Sequence, residues 1–420
     1  MNIKNAERPY SEVSQMEIPK HKPPRRPSFF FRTLIKIISL PDLIATRFSC
    51  KRIGMERLAR RESALFLMNH SCFLDLEIAE SILYPRPFNI VATLDAYVGK
   101  AWLMDQLGCI PTRKFVHELS LIKDIKTALI KQNRSVLMYP EAGYSFDGRA
   151  TPIPSTLAKL VKMLEVPVVM IKTFGAYHRQ PLYNELRKRR VKVSAEMKYL
   201  LSPDEIRAMS DDEIDSVLNE EFSFDSFRWQ QENKIRIDEP SRAEGLHRIL
   251  YKCPACEAEG GMRGVGTKLR CDKCGKEWEL DELGYMRALE GKTEFPHIPD
   301  WYDWERECVR REIENGEYSL EADVDIYMLV NEKGIYKVGE GTLSHTTEGF
   351  SLVGCDGQLS YKQSSKATYS VNSDFYWYKL GDVIGIGDGK ALYYCFPKNR
   401  EGIVAKTRLA AEEIYKIIKR

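Results

Sequence analysis

Cys253, Cys256, Cys271 and Cys274 form two Cys-x-x-Cys pairs separated by fourteen residues. Each pair can present two thiolates from a tight knuckle, and the two pairs make a closed tetrahedral set, the spacing of a zinc ribbon. A closed set leaves no position for water or substrate, so the implied Zn2+ is structural. The constraint reaches beyond the site. Residues 251–285 are too short for a core of their own, and metal binding would supply folding energy there. The four cysteines therefore split the chain into a long part before them and a shorter one after. Ten cysteines in 420 residues are otherwise too sparse for a disulfide scaffold, which favours a reducing cytoplasm.

Before the cysteines, strand and helix patterns alternate. Apolar runs at 64–68, 88–94, 135–139 and 167–174 read as buried strands, and 191–200 as one more. Between them, 155–165 places Leu157, Leu160, Val161 and Leu164 at i, i+3, i+4 and i+7, with Ser155 placed to cap. Ser202–Glu205 and Ser210–Glu213 have capping-box spacing. This is the pattern of an α/β domain around a central sheet.

After the cysteines, an aromatic bridge at 301–306 leads into short alternating segments: DIYMLV, GIYKVGEG, GFSLVG, DFYWYKL, DVIGIG and ALYYCF. A final helix carries Ala410, Ile414, Ile417 and Ile418 on one stripe. That is a small antiparallel β domain with a closing helix. It resembles a pleckstrin-homology or GRAM-like barrel, a module that binds lipid head groups or proteins; a scaffold role is equally open. The divisions are 1–62, 63–245, 246–285 and 286–420.

The net charge of +3 conceals an asymmetry. Lys20–Arg61 contains 12 Lys and Arg against Asp42 and Glu56. The same stretch carries Phe29, Phe30, Phe31, Leu34, Ile35, Ile37, Ile38 and Leu40, broken by Arg32 and Lys36. It is too interrupted to span a bilayer but suits a segment lying in the headgroup layer. An ordinary amphipathic helix packed on its own domain is the alternative. Nucleic acid is disfavoured as a partner, because 251–282 holds six basic and seven acidic residues. No run nears the roughly 18 apolar residues of a spanning helix, and the polar N-terminus does not read as a secretory signal. The expected location is peripheral, on the cytoplasmic face of the membrane.

Chemistry concentrates where the first strand ends, at Asn69-His70-Ser71-Cys72-Phe73-Leu74-Asp75. With His70 in the loop and Asp75 on the first turn of a helix, the carboxylate can hold one imidazole nitrogen and leave the other as a base. The bland reading is a packing histidine beside an unrelated aspartate. Downstream lie Gly108-x-Ile110-x-x-Arg113, Pro140-Glu141-Ala142-Gly143-Tyr144-Ser145 and Val166-Pro167.

In order and spacing these segments resemble the four sequence blocks of the glycerolipid acyltransferases, the family that includes 1-acylglycerol-3-phosphate acyltransferase. The resemblance covers about 60–200. Asn69, His70 and Asp75 match the first block in full, and Gly108, Ile110 and Arg113 the second. In the third, usually Phe-Pro-Glu-Gly-Thr-Arg-Ser, Pro140, Glu141 and Ser145 fit, while Ala142, Gly143 and Tyr144 depart from it. The last departure removes a cation for which Lys114 or Arg149 could substitute.

The resemblance implies acyl transfer from acyl-CoA or acyl carrier protein to a lysophospholipid hydroxyl, 1-acylglycerol-3-phosphate first among acceptors, in phospholipid synthesis or remodelling. His70 and Asp75 are then catalytic, and Asn69, Arg113, Glu141 and Ser145 bind substrate. Cys72 reads as a small spectator. A non-catalytic lipid-binding protein built on a degenerate transferase is the alternative.

Overall fold

The computed structural model describes residues 5–116, 118–398 and 402–419. The first strand, β1 (Asn5–Glu7), belongs to the C-terminal module and is taken up with it. The α/β domain is built on β2 (Ser49–Ile53), β3 (Leu65–Met68), β4 (Phe88–Thr93), β5 (Cys109–Thr112), β6 (Ser135–Met138), β7 (Val168–Phe174) and β8 (Ser194–Leu201). Their order is β2-β8-β7-β3-β6-β4-β5, and every pairing is parallel except β7 with β8.

β3 lies inside the sheet and is buried on both faces. Phe66 and Met68 join a cluster with helix Leu74–Leu83, while Leu65 and Leu67 join the opposite cluster with helix Thr156–Leu164. Two buried faces explain why its sequence is a continuous apolar run and not an alternation. β3, β4, β5 and β6 are mutually parallel, so their carboxyl ends, and the loops after them, gather on one edge.

Both capping boxes form as the spacing implies, with Ser202 and Ser210 accepting from the Glu205 and Glu213 amides. Ser155 stands at the start of its helix but makes no side-chain cap bond. β2 and β5 have no counterpart among the expected strands. β2 is a mostly exposed edge strand of sequence SCKRI, whose pattern carries no apolar signal.

Four short strands follow: β9 (Met262–Val265), β10 (Lys268–Cys271), β11 (Glu277–Leu280) and β12 (Met286–Ala288), ordered β12-β11-β10-β9. Leu269, Trp278 and Met286 from this ribbon share one cluster with Trp301 and the C-terminal module, and with Tyr177, Tyr183 and Phe227 of the α/β domain. The ribbon is part of a joint core.

The C-terminal module contains β13 (Leu320–Leu329), β14 (Ile335–Thr346), β15 (Gly349–Gly354), β16 (Leu359–Ser364), β17 (Asn372–Trp377), β18 (Gly381–Gly387) and β19 (Leu392–Pro397), closed by helix Ile403–Lys419. Its order, β16-β15-β14-β13-β19-β18-β17, joins a four-strand and a three-strand meander through the first and last strands. This antiparallel sheet with a closing helix agrees with the sequence reading. The polar β16 was not expected. In the closing helix Ala410 and Ile414 are buried, but Ile418, expected on the same stripe, is exposed in the last turn.

The stretch read as a single basic segment, 1–62, is divided between the two halves. Residues 1–4 lie outside the described residues. β1 pairs with β14, Val13 enters the joint core, and β2 extends the α/β sheet. Helix Phe29–Ala45 packs Phe31, Ile35 and Leu43 into the α/β core beside helix Leu74–Leu83. Its buried Arg32 pairs with buried Glu80 at 3.4 Å and lies over the Phe88 ring. The other face is bare: Phe30, Ile38 and Ile44 are 67%, 65% and 72% exposed. No helix among the described residues is long and apolar enough to cross a membrane.

Candidate active site and cysteine centre

The four cysteine sulfurs lie within 4.8 Å of one another. Cys253 Sγ is 3.7 Å from Cys274 Sγ, and Cys256 Sγ is 3.7 Å from Cys271 Sγ. Four thiolates each about 2.3 Å from a central ion would stand about 3.8 Å apart in a regular tetrahedron, so the set fits a zinc ribbon. Backbone N–H groups of Ala255 and Cys256 point at Cys253 Sγ, and those of Lys273 and Cys274 at Cys271 Sγ, donors that favour thiolates.

On the sheet edge, β3 ends at Met68 and the chain turns through His70 into helix Leu74–Leu83, which places Asp75 on its first turn. Asp75 is fully buried. Its Oδ2 accepts from His70 Nδ1 at 3.1 Å, from the Ser71 N–H at 2.6 Å and from the Cys72 N–H at 3.0 Å. An acceptor on Nδ1 selects the tautomer with its proton there, leaving a lone pair on Nε2. The two amides are thereby committed to Asp75 and are not oxyanion donors. Cys72 is buried with its thiol pushed well up by desolvation, and its Sγ donates to the Ala176 carbonyl, as suits a spectator.

The loop after β6 brackets His70. Its N–H donates to Glu141 Oε2 at 3.3 Å, and its carbonyl accepts from the Ser145 N–H at 3.3 Å. The imidazole lies between two rings, stacked on Tyr139 at 4.1 Å and tilted against Tyr144 at 4.5 Å. Its side chain stays 23% exposed. Ala142 has φ +55°, a conformation that favours glycine. This is the position where the third block usually carries glycine, so the turn is kept although the residue changed.

Glu141 is 3% exposed, and Oε1 has no hydrogen-bond partner of normal geometry. Desolvation raises its carboxyl to about 8, against the opposing His70 and Thr151 amides. The sign for stability follows. Between pH 4.5 and 8 the folded chain holds a proton that the unfolded chain has lost, so stability falls as pH rises through that window. Glu141→Gln mimics the neutral carboxyl, and its stability-versus-pH curve should lack this part of the decline. Thermal melting from pH 5 to 9 checks it, by difference from wild type because Glu77, raised to about 7, titrates in the same window. Parallel curves would mean that Glu141 is ionised in the folded state.

The remaining expected site residues are engaged with protein. Asn69 Oδ1 accepts from the Thr173 N–H at 2.8 Å and tethers the first loop to β7. Ser145 Oγ donates to the Arg149 carbonyl and accepts from the Gly148 N–H. Arg113 Nη1 pairs with Glu118 Oε1 at 2.5 Å, and the side chain is 13% exposed. The structure thus joins His70, Asp75, Glu141, the Asn69 side chain and the Ser145 backbone in one loop cluster, with Arg113 on the neighbouring turn after β5. Sequence reasoning did not find Tyr139 and Tyr144 as the flanking rings. The departure at Tyr144 was the available signal.

The C-terminal module lies over this edge. Tyr369 donates to the Pro140 carbonyl at 3.4 Å and packs on Phe115; Phe375 packs on Phe146; Arg408 donates to the Tyr144 carbonyl at 3.3 Å. Those contacts span more than 220 residues of sequence and had no local signature.

Residues 50–172 match the family model described as Acyltransferase. Among curated proteins the chain is similar to the chloroplastic 1-acyl-sn-glycerol-3-phosphate acyltransferase BAT2 of Brassica napus, 26% identical over 135 residues. That match takes in 31% of this chain and 39% of the length of the relative. Among solved structures it is similar to PlsC, the 1-acyl-sn-glycerophosphate (LPA) acyltransferase of Thermotoga maritima, with a TM-score of 0.38 and 16% identity. The alignment covers 49% of this chain and 80% of that one. The four blocks and the His70–Asp75 pair all fall within the residues matched by the Acyltransferase family model, so 50–172 is the part of the chain that is similar to the acyltransferases.

Proposed function

We propose that the chain transfers a fatty acyl group from acyl-CoA or acyl carrier protein to the hydroxyl of a lysophospholipid, with 1-acylglycerol-3-phosphate the first acceptor to test. The observation that carries this reading is the fully buried Asp75 holding His70 Nδ1, with Nε2 left to act. The acceptor hydroxyl attacks the thioester carbonyl while His70 Nε2 takes its proton. Asp75 stabilises the imidazolium so formed. Collapse of the tetrahedral intermediate breaks the C–S bond, and the imidazolium returns the proton to the leaving thiolate. No protein nucleophile is needed, because the alcohol attacks directly. In this reading the four-cysteine centre holds a structural Zn2+ and takes no part in the transfer.

Acyl transfer to a lysolipid also calls for access to a membrane surface. The bare face of helix Phe29–Ala45 is extended by Trp102, 64% exposed and edge-on to Phe31. Exposed Lys22, Arg25 and Arg26 precede this helix, and exposed Arg47, Lys51 and Arg52 follow it. An apolar strip with cations at both ends suits the headgroup layer of an anionic bilayer, on the cytoplasmic side. The double change Phe30→Asp with Ile38→Asp should cut partitioning onto phosphatidylglycerol vesicles at least about tenfold, with melting unchanged because both side chains are exposed. Sedimentation with vesicles checks it, and undiminished binding would remove this helix from the contact.

The deciding assay is transfer of labelled acyl groups from both donors to a panel of lysolipids. Turnover names the acceptor. Lipid binding with no turnover on any acceptor would leave a lipid-binding regulator on a transferase scaffold.

A further inference from the structure

The imidazole of His70 is tied at one ring atom, Nδ1, which donates to Asp75 Oδ2 at 3.1 Å. A single hydrogen bond is a hinge, about which the ring can swing and carry Nε2 off its direction. A base that must meet one hydroxyl tolerates little of that, since a misplacement of about 1 Å can cost about 10²-fold in rate. What blocks the swing is a ring on each face, Tyr139 at 4.1 Å and Tyr144 at 4.5 Å.

The two rings are held differently. Tyr139 directly follows β6 and takes its place from the sheet. Tyr144 lies farther along a loop with open space beside its middle: a Cβ at Gly143 would meet nothing within 4 Å. This loop is gripped from outside at both ends. Tyr369 donates to the Pro140 carbonyl at 3.4 Å, and Arg408 Nη1 donates to the Tyr144 carbonyl at 3.3 Å. Just beyond, Arg149 Nη1 and Nη2 bind the two oxygens of Asp303 at 2.6 and 2.7 Å, which ties the same loop to helix Ile298–Glu314.

Arg408 belongs to the closing helix and is itself fixed. It is buried, its guanidinium lies over the Phe146 ring at 4.2 Å, and its Nε donates to Glu412 Oε1 at 3.2 Å. Glu412, buried in turn, accepts from Ser370 Oγ at 3.0 Å and pairs with Arg306 Nη1 at 2.8 Å. A buried polar network bonded in this way is rigid, and a guanidinium stays charged at any working pH. The Tyr144 carbonyl therefore meets a donor at a set position.

We propose that Tyr144 is a positioning residue for the His70 base and that Arg408 acts through it, so that the C-terminal module sets the direction of Nε2. The inference rests on the acyl-transfer reading above. It assigns the departure at 144 to the base and not to the acceptor: the ring, not the hydroxyl, is what the site uses.

The test is steady-state kinetics of the full chain with labelled acyl-CoA and 1-acylglycerol-3-phosphate, beside the NMR resonance of His70 Cε1–H, which the flanking rings shield. Tyr144→Ala should lower kcat about tenfold with both KM values within about twofold. Tyr144→Phe keeps the ring and should keep kcat. Arg408→Met should lower kcat as Tyr144→Ala does, and Arg408→Lys should recover part of the loss; Glu412 retains Arg306 in both. In the Tyr144→Ala background Arg408→Met should have no further effect on kcat. The His70 resonance should move downfield in both single variants. The control is Lys406→Met on the same helix, where Lys406 pairs with Glu259 and Glu312; it should lower the melting temperature and leave kcat and the resonance alone. Should Arg408→Met fail to fold, Tyr369→Phe, which loses one hydroxyl, takes its place with the same direction expected. An unchanged kcat or resonance in the folded variant, additive losses in the double variant, or a Tyr144→Phe as slow as Tyr144→Ala overturns the inference while acyl transfer stands. No turnover by the wild-type chain overturns both.

Discussion

Replacing His70 with alanine is expected to reduce acyl transfer by about 10²- to 10⁴-fold, the usual contribution of a general base, with the fold intact. The structural side of that expectation follows from the partners of Asp75. Losing the imidazole removes one of three donors, and the buried carboxylate keeps the Ser71 and Cys72 amides at 2.6 and 3.0 Å. The deleted ring is 23% exposed, so its loss leaves an opening to solvent and not a sealed cavity. Labelled transfer measured beside thermal melting checks both halves. Wild-type turnover in the variant would show that another group takes the proton. Lost turnover with a collapsed melting curve would show that His70 holds the loop together.

Removing the zinc proposed for the four-cysteine centre is expected to have the largest effect on stability. Cys253 and Cys271 are fully buried, and their cluster runs through Trp278 and Trp301 into β13 and β19 and across to Tyr177 and Phe227. Structural zinc sites contribute about 10–16 kcal/mol in isolated fingers, while whole domains are stable by about 5–15 kcal/mol. Chelation should therefore melt more than the ribbon. Cys253→Ser should bind substoichiometric zinc and unfold at a clearly lower temperature, with near-ultraviolet circular dichroism lost from the aromatic cluster. Turnover should fall only in proportion to the unfolded fraction. Selective loss of transfer at an unchanged melting temperature would contradict a purely structural ion.

These two outcomes bear on residues that the sequence marked plainly, and the reason is local. His70 and Asp75 are five apart, the loop-to-helix turn joins them, and each Cys-x-x-Cys is one knuckle. Strand positions were legible where both faces of a strand are buried, as in β3 and β7, because an apolar run then has no other use. They were illegible where a strand is an edge or is polar on both sides, as in β2 and β16, because pairing there depends on backbone hydrogen bonds that any residue can make. Ile418 was misplaced because periodicity gives a helix its stripe but not the turn at which packing stops.

The sequence by itself determined the first block, the cysteine centre, the α/β alternation and the β-rich end, since each is written within a few tens of residues by periodicity, spacing or ligand chemistry. Only the tertiary structure decided what covers His70, which cations are already spent and which remain. Arg149 is paired with Asp147 and Asp303, and Arg113 with Glu118. Charge availability depends on the nearest counter-charge in space. A linear pattern carries no record of it.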